Sequence, residues 1–295
     1  MQHSEPGDLW QLTAPLATVW RSDRTLQLGL EPPGGLLVPS APTGLVAVID
    51  ALAKPSRRAE LEAAGGPSSG SWLEQVLRLL VAAGLARAVR PGLAGVTVIG
   101  RGRLVLRLAQ LLLAGMSGPV RLIWPGSPVP PRPVMELRGR HPERLSYAGH
   151  WGGENTAPDG LTVLAAQAPE PDRSLVRELA AGGRAHLVVR ASDLGCIVGP
   201  LVVPGRTACL RCEDLHRCGT DPQWPRLLAQ LCRRRPAAGA LELQWAVSTA
   251  VVQVRAWRNG TLPDALGAGL ELGADGTLRT RRLRAHPGCG CLAAG

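Results

Sequence analysis

Lysine and phenylalanine are nearly absent from this sequence, and it has no long hydrophobic run. Lys54 is the one lysine among 33 basic residues, and there is no phenylalanine. The formal net charge is +10, yet the arginines are spread along the chain apart from residues 233–235 and 279–284. With abundant alanine, glycine and proline, this reflects a GC-rich coding bias more than a phosphate-binding surface, so nucleic acid is disfavoured as a partner. No stretch of roughly 18 or more uncharged apolar residues occurs, which argues against a membrane-spanning helix. The N-terminus MQHSEPGDLW also lacks the basic and then apolar order of a secretory signal. A soluble, cytoplasmic protein is expected, and in that compartment seven cysteines favour metal over disulfides. An apolar fraction of 45% is ordinary for a globular protein, and 295 residues suggest about two domains.

Four of the cysteines form two close pairs. Residues 199–217, GPLVVPGRTACLRCEDLHR, contain Cys209 and Cys212, and HPGCGC near the end contains Cys289 and Cys291. Thiolates two apart on a tight turn can face the same ion, and four of them satisfy the tetrahedral, sulfur-rich preference of structural zinc. Flanking turn residues (Pro204, Gly205; Pro287, Gly288) support that reading over four ordinary buried cysteines. A closed thiolate shell leaves no position for water, so the metal is expected to staple the tail to the domain rather than to catalyse. Zinc ribbons place their pairs about 15 to 20 residues apart, which further disfavours a zinc-stabilised nucleic-acid binder. Cys196, Cys218 and Cys232 stand alone and read as buried or idle thiols. His216 and His286 lie near the pairs and are candidate partners of the thiolates.

The first 91 residues read as a small α+β unit. Residues 17–30 give a hairpin around Ser22-Asp23-Arg24, with Val19, Leu26, Leu28 and Leu30 at alternating apolar positions. Helical patterns follow at 43–53, with Thr43 as a candidate cap, at 56–64, closed by Gly65-Gly66, and at 71–83, closed by Gly84. In the last, Trp72, Val76, Leu79 and Leu80 recur at helical spacing. A hairpin beside three short helices is the content of a winged-helix unit. An open strand edge near residues 25–30 and helix 71–83 would form a groove for an extended peptide, with Leu28 and Trp72 as the candidate groove residues.

From residue 92 the pattern becomes α/β. A buried strand at 96–99 runs through Gly100-Arg101-Gly102 into an apolar helix at 104–113, the opening of a dinucleotide-type βαβ unit. Val105 stands at the third position of the GxGxxG pattern, and the second strand, 120–123, ends in Trp124-Pro125-Gly126 where a nucleotide site places an acid for the ribose. Residues 127–159 show little periodicity and read as an irregular crossing. A strand at 161–166, a helix at 174–181 and a strand at 186–189, opened by the structural-looking His186, argue for a mostly parallel, Rossmann-like sheet covered on both faces. Helices at 221–231 and 241–257 follow, the second with Leu243, Val247, Ala250 and Val254 on one face. Paired strands at 265–272 and 277–283 then return the chain to the second cysteine pair.

This combination of an incomplete glycine turn, CxxC after the fourth strand and a returning hairpin that ends in a cysteine pair resembles the ThiF-type, ubiquitin-activating-enzyme-like family over residues 92–295. The phrases QLGLEP, HLVV, DPQWP and HPGCGC look more closely like an actinobacterial branch of leader-peptide-binding proteins related to azole-forming cyclodehydratases. The resemblance implies a winged-helix recognition element at 1–91 for a precursor peptide, and a partner modifying enzyme such as a YcaO-type cyclodehydratase. It also implies a fold that is commonly dimeric. Active members of the family adenylate the C-terminal carboxylate of a small carrier protein with ATP and magnesium. Gly100, Gly102 and Asp172 are the residues here that match that nucleotide site, while Val105 and Trp124 depart from it. The expectation is a fold retained and a chemistry lost, with a working adenylyltransferase as the alternative.

Overall fold

Strand and helix alternate along most of this chain, and its computed structural model describes residues 9–30, 35–89, 95–152, 160–166, 168–192, 194–235 and 238–292. Backbone packing divides it into two units, Met1–Leu93 and Ala94–Gly295. The first unit runs β1 (Leu9–Leu12), β2 (Thr18–Trp20), β3 (Thr25–Leu28), β4 (Leu36–Pro39), α1 (Leu45–Ala51), β5 (Ser56–Arg57), α2 (Arg58–Gly65), α3 (Leu73–Ala82) and β6 (Ala86–Val89). Two antiparallel three-stranded sheets result, ordered β5-β1-β6 and β2-β3-β4. Leu26 and Leu28 from β3 meet Leu45, Val48 and Ile49 of α1, Leu61 of α2 and Leu73, Leu77 and Leu80 of α3 in one aliphatic core. Gly44, at φ +91°, opens α1 where a Cβ would overlap the backbone of Gly65 at the end of α2, so only glycine lets the two helices meet there.

Several expectations for this unit need correction. The strand at residues 25–30 is not an edge: β4 covers its far side, pairing Leu26 with Val38 and Leu28 with Leu36. The LLVP run that forms β4 is too short to announce itself beside the flanking proline and glycine. Leu28 is fully buried and belongs to the core, not to a groove, whereas Val19 and Leu30, apolar positions of the same alternating pattern, are exposed. Leu79 also faces out, because Val76, Leu77 and Leu80 already fill the inward stripe of α3. The cap of α1 is Gly44 rather than Thr43, with no side-chain hydrogen bond.

The second unit contains β7 (Val96–Gly100), α4 (Gly102–Gly115), β8 (Val120–Ile123), α5 (Arg132–Arg140), β9 (Leu145–Ala148), β10 (Leu161–Ala165), α6 (Arg173–Ala181) and β11 (His186–Ser192). It continues with β12 (Gly195–Val202), α7 (Leu210–Thr220), α8 (Trp224–Leu231), α9 (Ala240–Arg258), β13 (Ala268–Gly273) and β14 (Leu278–Arg282). These strands make one eight-stranded sheet in the order β14-β13-β12-β11-β10-β7-β8-β9. The five strands from β11 to β9 are mutually parallel and the other three join antiparallel. The run of β10, apolar except for Thr162, is buried on both faces of the sheet. With the two-residue period of a strand, Val98, Val163, Leu187 and Val189 face Leu108 of α4 and Val247, Ala250 and Val254 of α9. Ile99, Ile123, Leu164 and Val188 face Val176 of α6 and Leu210 of α7 on the opposite side. Residues 127–159, read as irregular, contain both α5 and β9. The prolines that disguised α5 sit at its N-cap and first turn (Pro131, Pro133), where no intrahelical N–H is needed. Among the described residues no helix is long and apolar enough to cross a membrane.

His186 is fully buried at the start of β11. Its Nδ1 lies 2.9 Å from the carbonyl of Arg184, while Nε2 has no partner. Burial holds its pKa below the ordinary 6.5, so the folded state keeps a neutral ring. The unfolded chain takes up that proton first as pH falls, and the stability owed to the neutral ring is lost below about pH 6.5. Thermal unfolding followed from pH 8 to pH 5 should therefore show a fall in Tm that a His186→Leu variant lacks in that window.

Candidate metal centre and nucleotide crevice

The two cysteine pairs meet. The four Sγ atoms of Cys209, Cys212, Cys289 and Cys291 all lie within 4.8 Å of one another. Cys209 stands 3.6 Å from Cys289 and Cys212 stands 3.3 Å from Cys291. These separations are far beyond a disulfide bond of about 2.05 Å. A tetrahedral ion with sulfurs at about 2.3 Å spaces them roughly 3.8 Å apart, which falls inside the observed spread. The donor set therefore fits a metal ion of zinc's preference.

Local structure explains the convergence, although CLRC is not the tight turn expected. Cys209 is the N-cap of α7 and Cys212 lies in its first turn, so both sulfurs sit at the electropositive end of a helix. Burial pushes the Cys212 thiol up, but backbone hydrogen bonds at Cys209 and His286 and contacts with the other thiols outweigh it and leave the pKa below its ordinary value. Burial and hydrogen bonds shared with Cys209 and Cys212 hold Cys289 at about 11, and the same effects raise Cys291 further. One thiolate thus suppresses the next until a cation arrives. The second pair is carried on a turn in which the Cys289 N–H donates to the His286 carbonyl and the Gly288 N–H to His286 Nδ1. His216 packs edge-on against the His286 ring at 4.8 Å, its Nε2 3.2 Å from the Arg284 carbonyl. The two histidines brace the backbone that bears the thiols. Val202, Ala208 and Leu283 close the centre with apolar surface.

The remaining cysteines take no part in this cluster. Cys196 is buried in the main core, which pushes its pKa up to about 12, and burial also raises Cys232, whose Sγ lies 3.3 Å from the Pro171 carbonyl. Cys218 is half-buried on α7.

A second feature follows from the strand order. From β7 the chain goes outward to β8 and β9, then returns to build β10 and β11 on the other side, so the crevice beyond the ends of β7 and β10 is a topological switch point. A cavity of about 430 Å³ opens there, lined by Arg101, Gly102, Arg103, Ala166, Ala191 and Arg235 among others. At Gly100, φ +147°, a Cβ would overlap the Ala165 carbonyl and press on Val105, so glycine permits β7 and β10 to approach. Val105 is fully buried in the place of the third glycine. Trp124 packs on the core after β8, and the Arg101 guanidinium lies over Gly126, where a ribose acid would be expected. None of the described residues lining the cavity is acidic. Asp172 is outside it: as N-cap of α6 it accepts from the Ser174 N–H at 2.8 Å and from the Ser174 hydroxyl at 2.7 Å. The glycine turn is kept and three arginines suit anions, while none of the described lining residues supplies a carboxylate for a magnesium ion.

Sequence reasoning missed a buried charge network beside the metal centre. Arg190, pointing from β11, is 2% exposed and sits 2.9 Å from Glu170 and 3.6 Å from Glu213. Glu170 also pairs with Arg173 and Arg217, and Glu213 with Arg217 and Arg281. Arg173 reaches Asp214, which accepts from the Trp224 indole, and Arg217 stacks 4.3 Å over the Trp224 ring. An arginine inside an otherwise apolar strand was the available signal.

No family model matches the sequence, and no curated protein does. Solved structures share the fold. E. coli MccB with AMPCPP and MccA aligns over 96% of this chain and 99% of its own, with a TM-score of 0.56 at 15% identity. The chain has the ThiF-type fold. The same values describe the microcin C7 biosynthetic enzyme MccB in complex with N-formylated MccA. A heterocyclase in complex with substrate and cofactor, also at 15% identity and a TM-score of 0.56, aligns over 97% of this chain and 39% of its own.

Proposed function

We propose that the protein is a peptide-binding scaffold of the ThiF-type fold. Residues 1–91, as a winged-helix-like unit, take the leader segment of a ribosomally made precursor peptide. Residues 92–295 present the bound precursor to a partner modifying enzyme, with a YcaO-type cyclodehydratase as the partner class. The observation that carries this reading is the end-to-end likeness to MccB, solved with the peptide MccA, in a chain whose nucleotide crevice has no acidic lining among its described residues. The four-thiolate cluster would hold a structural zinc that fixes the tail.

Strand addition is the mode that suits a segment disordered until bound, since backbone hydrogen bonds give affinity and alternate side chains give specificity. Because β3 is interior, the added strand belongs on β2 or β4, which display Val19 (43% exposed), Trp20 (51%) and Leu37 (46%). Trp72 remains a candidate contact, being half-buried with its indole Nε1 unpartnered. Hydrogen exchange of the full chain with precursor peptides encoded beside its gene should show new protection in β2 or β4. Protection only elsewhere, or none with any neighbouring peptide, would sink the peptide-clamp reading.

The glycine turn and the three crevice arginines are what favour the second reading, an adenylyltransferase acting on a carrier carboxylate. Calorimetry separates the two. Magnesium ATP is expected to show no binding tighter than about 1 mM, which corresponds to roughly −4 kcal/mol. Micromolar binding, or pyrophosphate exchange stimulated by a carrier protein, would establish the adenylyltransferase instead.

A further inference from the structure

The edge of the larger sheet carries its own binding features. Strand β14 pairs with β13 on one side and is last in the sheet order. The Leu283 N–H donates to the Gly267 carbonyl, and the Gly273 N–H donates to the Thr277 carbonyl. In an antiparallel ladder these two bonds fix the alternation: odd-numbered residues turn their backbone groups to β13, and Leu278, Thr280 and Arg282 turn theirs to the open edge. A row of unpaired backbone donors and acceptors is thereby presented to solvent.

Charge distinguishes this edge from a bare one. Arg279, Arg282 and Arg284 are exposed, and among the described residues none pairs with a carboxylate. Beside them a cavity of about 440 Å³ is bounded by α7, the turn into α8 and β14, with Arg217, Arg281, Arg282 and Arg284 in its wall against Glu213 and Asp221. Two of those guanidiniums are already held in place. Arg217 is fixed by Glu213, Glu170 and the Trp224 ring, and Arg281 by Glu213 and Glu271, while both keep part of their surface open at 31% and 40% side-chain exposure. Glu213 is itself nearly fully buried, and its Oε2 lacks a hydrogen-bond partner. Fixed, partly exposed guanidiniums recognise carboxylates at low ordering cost.

We propose that β14 and this cavity form a docking site for an extended acidic peptide segment, which adds as a further strand and directs every second, acidic side chain to Arg217, Arg281 and Arg284. The site lies wholly within the larger unit and does not depend on leader binding by the smaller one. Arginine on a strand edge also blocks unwanted edge pairing, and the test must separate the two roles.

The probe is a capped eight-residue peptide alternating glutamate and valine, titrated into the full-length zinc-loaded protein by calorimetry, with its glutamine–valine counterpart, citrate and a single-stranded oligonucleotide as comparisons. The glutamate peptide is expected to bind at least about tenfold more tightly than the glutamine peptide, and to protect the Thr280 and Arg282 amides from hydrogen exchange. Arg282→Glu combined with Arg284→Glu should abolish binding. Thr280→Pro removes one outward N–H without touching the ladder to β13 and should weaken binding about tenfold, with an unchanged melting curve as the check on folding. Equal binding of both peptides, tighter binding of citrate, or oligonucleotide binding without protection of Thr280 and Arg282 would each overturn the proposal. Failure of the glutamate peptide to bind at millimolar concentration would leave the arginines as an edge-blocking device and overturn it as well.

Discussion

Purified protein should carry one zinc ion per chain, and Cys212→Ser should release it. The four sulfurs are already within 4.8 Å of one another, so the ion finds its donors gathered and need only displace the protons that the crowded thiols retain. Loss of an outer partner of a metal ligand typically costs 10–100-fold in affinity, so loss of a ligand should exceed about 100-fold. Apparent binding free energies in isolated zinc-finger peptides are about 10–16 kcal/mol and decide folding outright. Here the centre is backed by separate aliphatic cores on the two faces of the sheet, and among the described residues its own apolar cover is Val202, Ala208 and Leu283. Chelation should therefore speed hydrogen exchange around residues 203–212 and 283–291 while the strands of the parallel sheet stay protected. Metal analysis with no zinc, or chelation that unfolds the whole larger unit, would refute this account.

The elements that were legible in the sequence are those in which one signal dominates. Short, mostly apolar runs announced β7, β10 and β11, and cysteine spacing announced a four-thiolate cluster. The elements that were not legible are those in which two signals compete. Prolines at the start of α5 read as loop, although the first helical turn tolerates them, and β4 has only four residues, the last of them Pro39. The role of Leu28 depended on whether β3 was an edge, which is a property of pairing partners rather than of local pattern. Asp172 sits away from the crevice lining for a local reason. An Asp two residues before a serine at a helix start is a cap by short-range geometry. Arg190 apart, the charge network was not legible, because its members come from β11, α7, β13, β14 and residues 170–173, and only the fold brings them together.

That network sets the second large effect: Arg190→Met should destabilise the larger unit by about 3–5 kcal/mol, because removing one partner of a buried ion pair leaves the others uncompensated. Typical domains have only about 5–15 kcal/mol in total, so the change should be plain in urea unfolding. Arg190 reaches both Glu170 and Glu213 from β11, as Arg217 does from α7, but Arg190 is the more deeply buried of the two, and Met takes up much of its volume without its charge. Glu170 provides an internal check. Burial pushes its carboxyl up, but Arg190, then Arg173 and Arg217, outweigh that and hold its pKa below the ordinary 4.5. Stability from this depression is present above about pH 4.5 and is lost as pH falls through the folded pKa. Without Arg190 the folded pKa rises, so the variant's deficit should narrow in acid as Glu170 takes up a proton. Adding Glu170→Gln to Arg190→Met should recover part of the loss at neutral pH, since it removes a charge that the first change stranded. A loss below about 1 kcal/mol, or one that does not change between pH 7 and pH 4, would mean that Arg173, Arg217 and Arg281 suffice to balance the buried carboxylates and that Arg190 merely fills space.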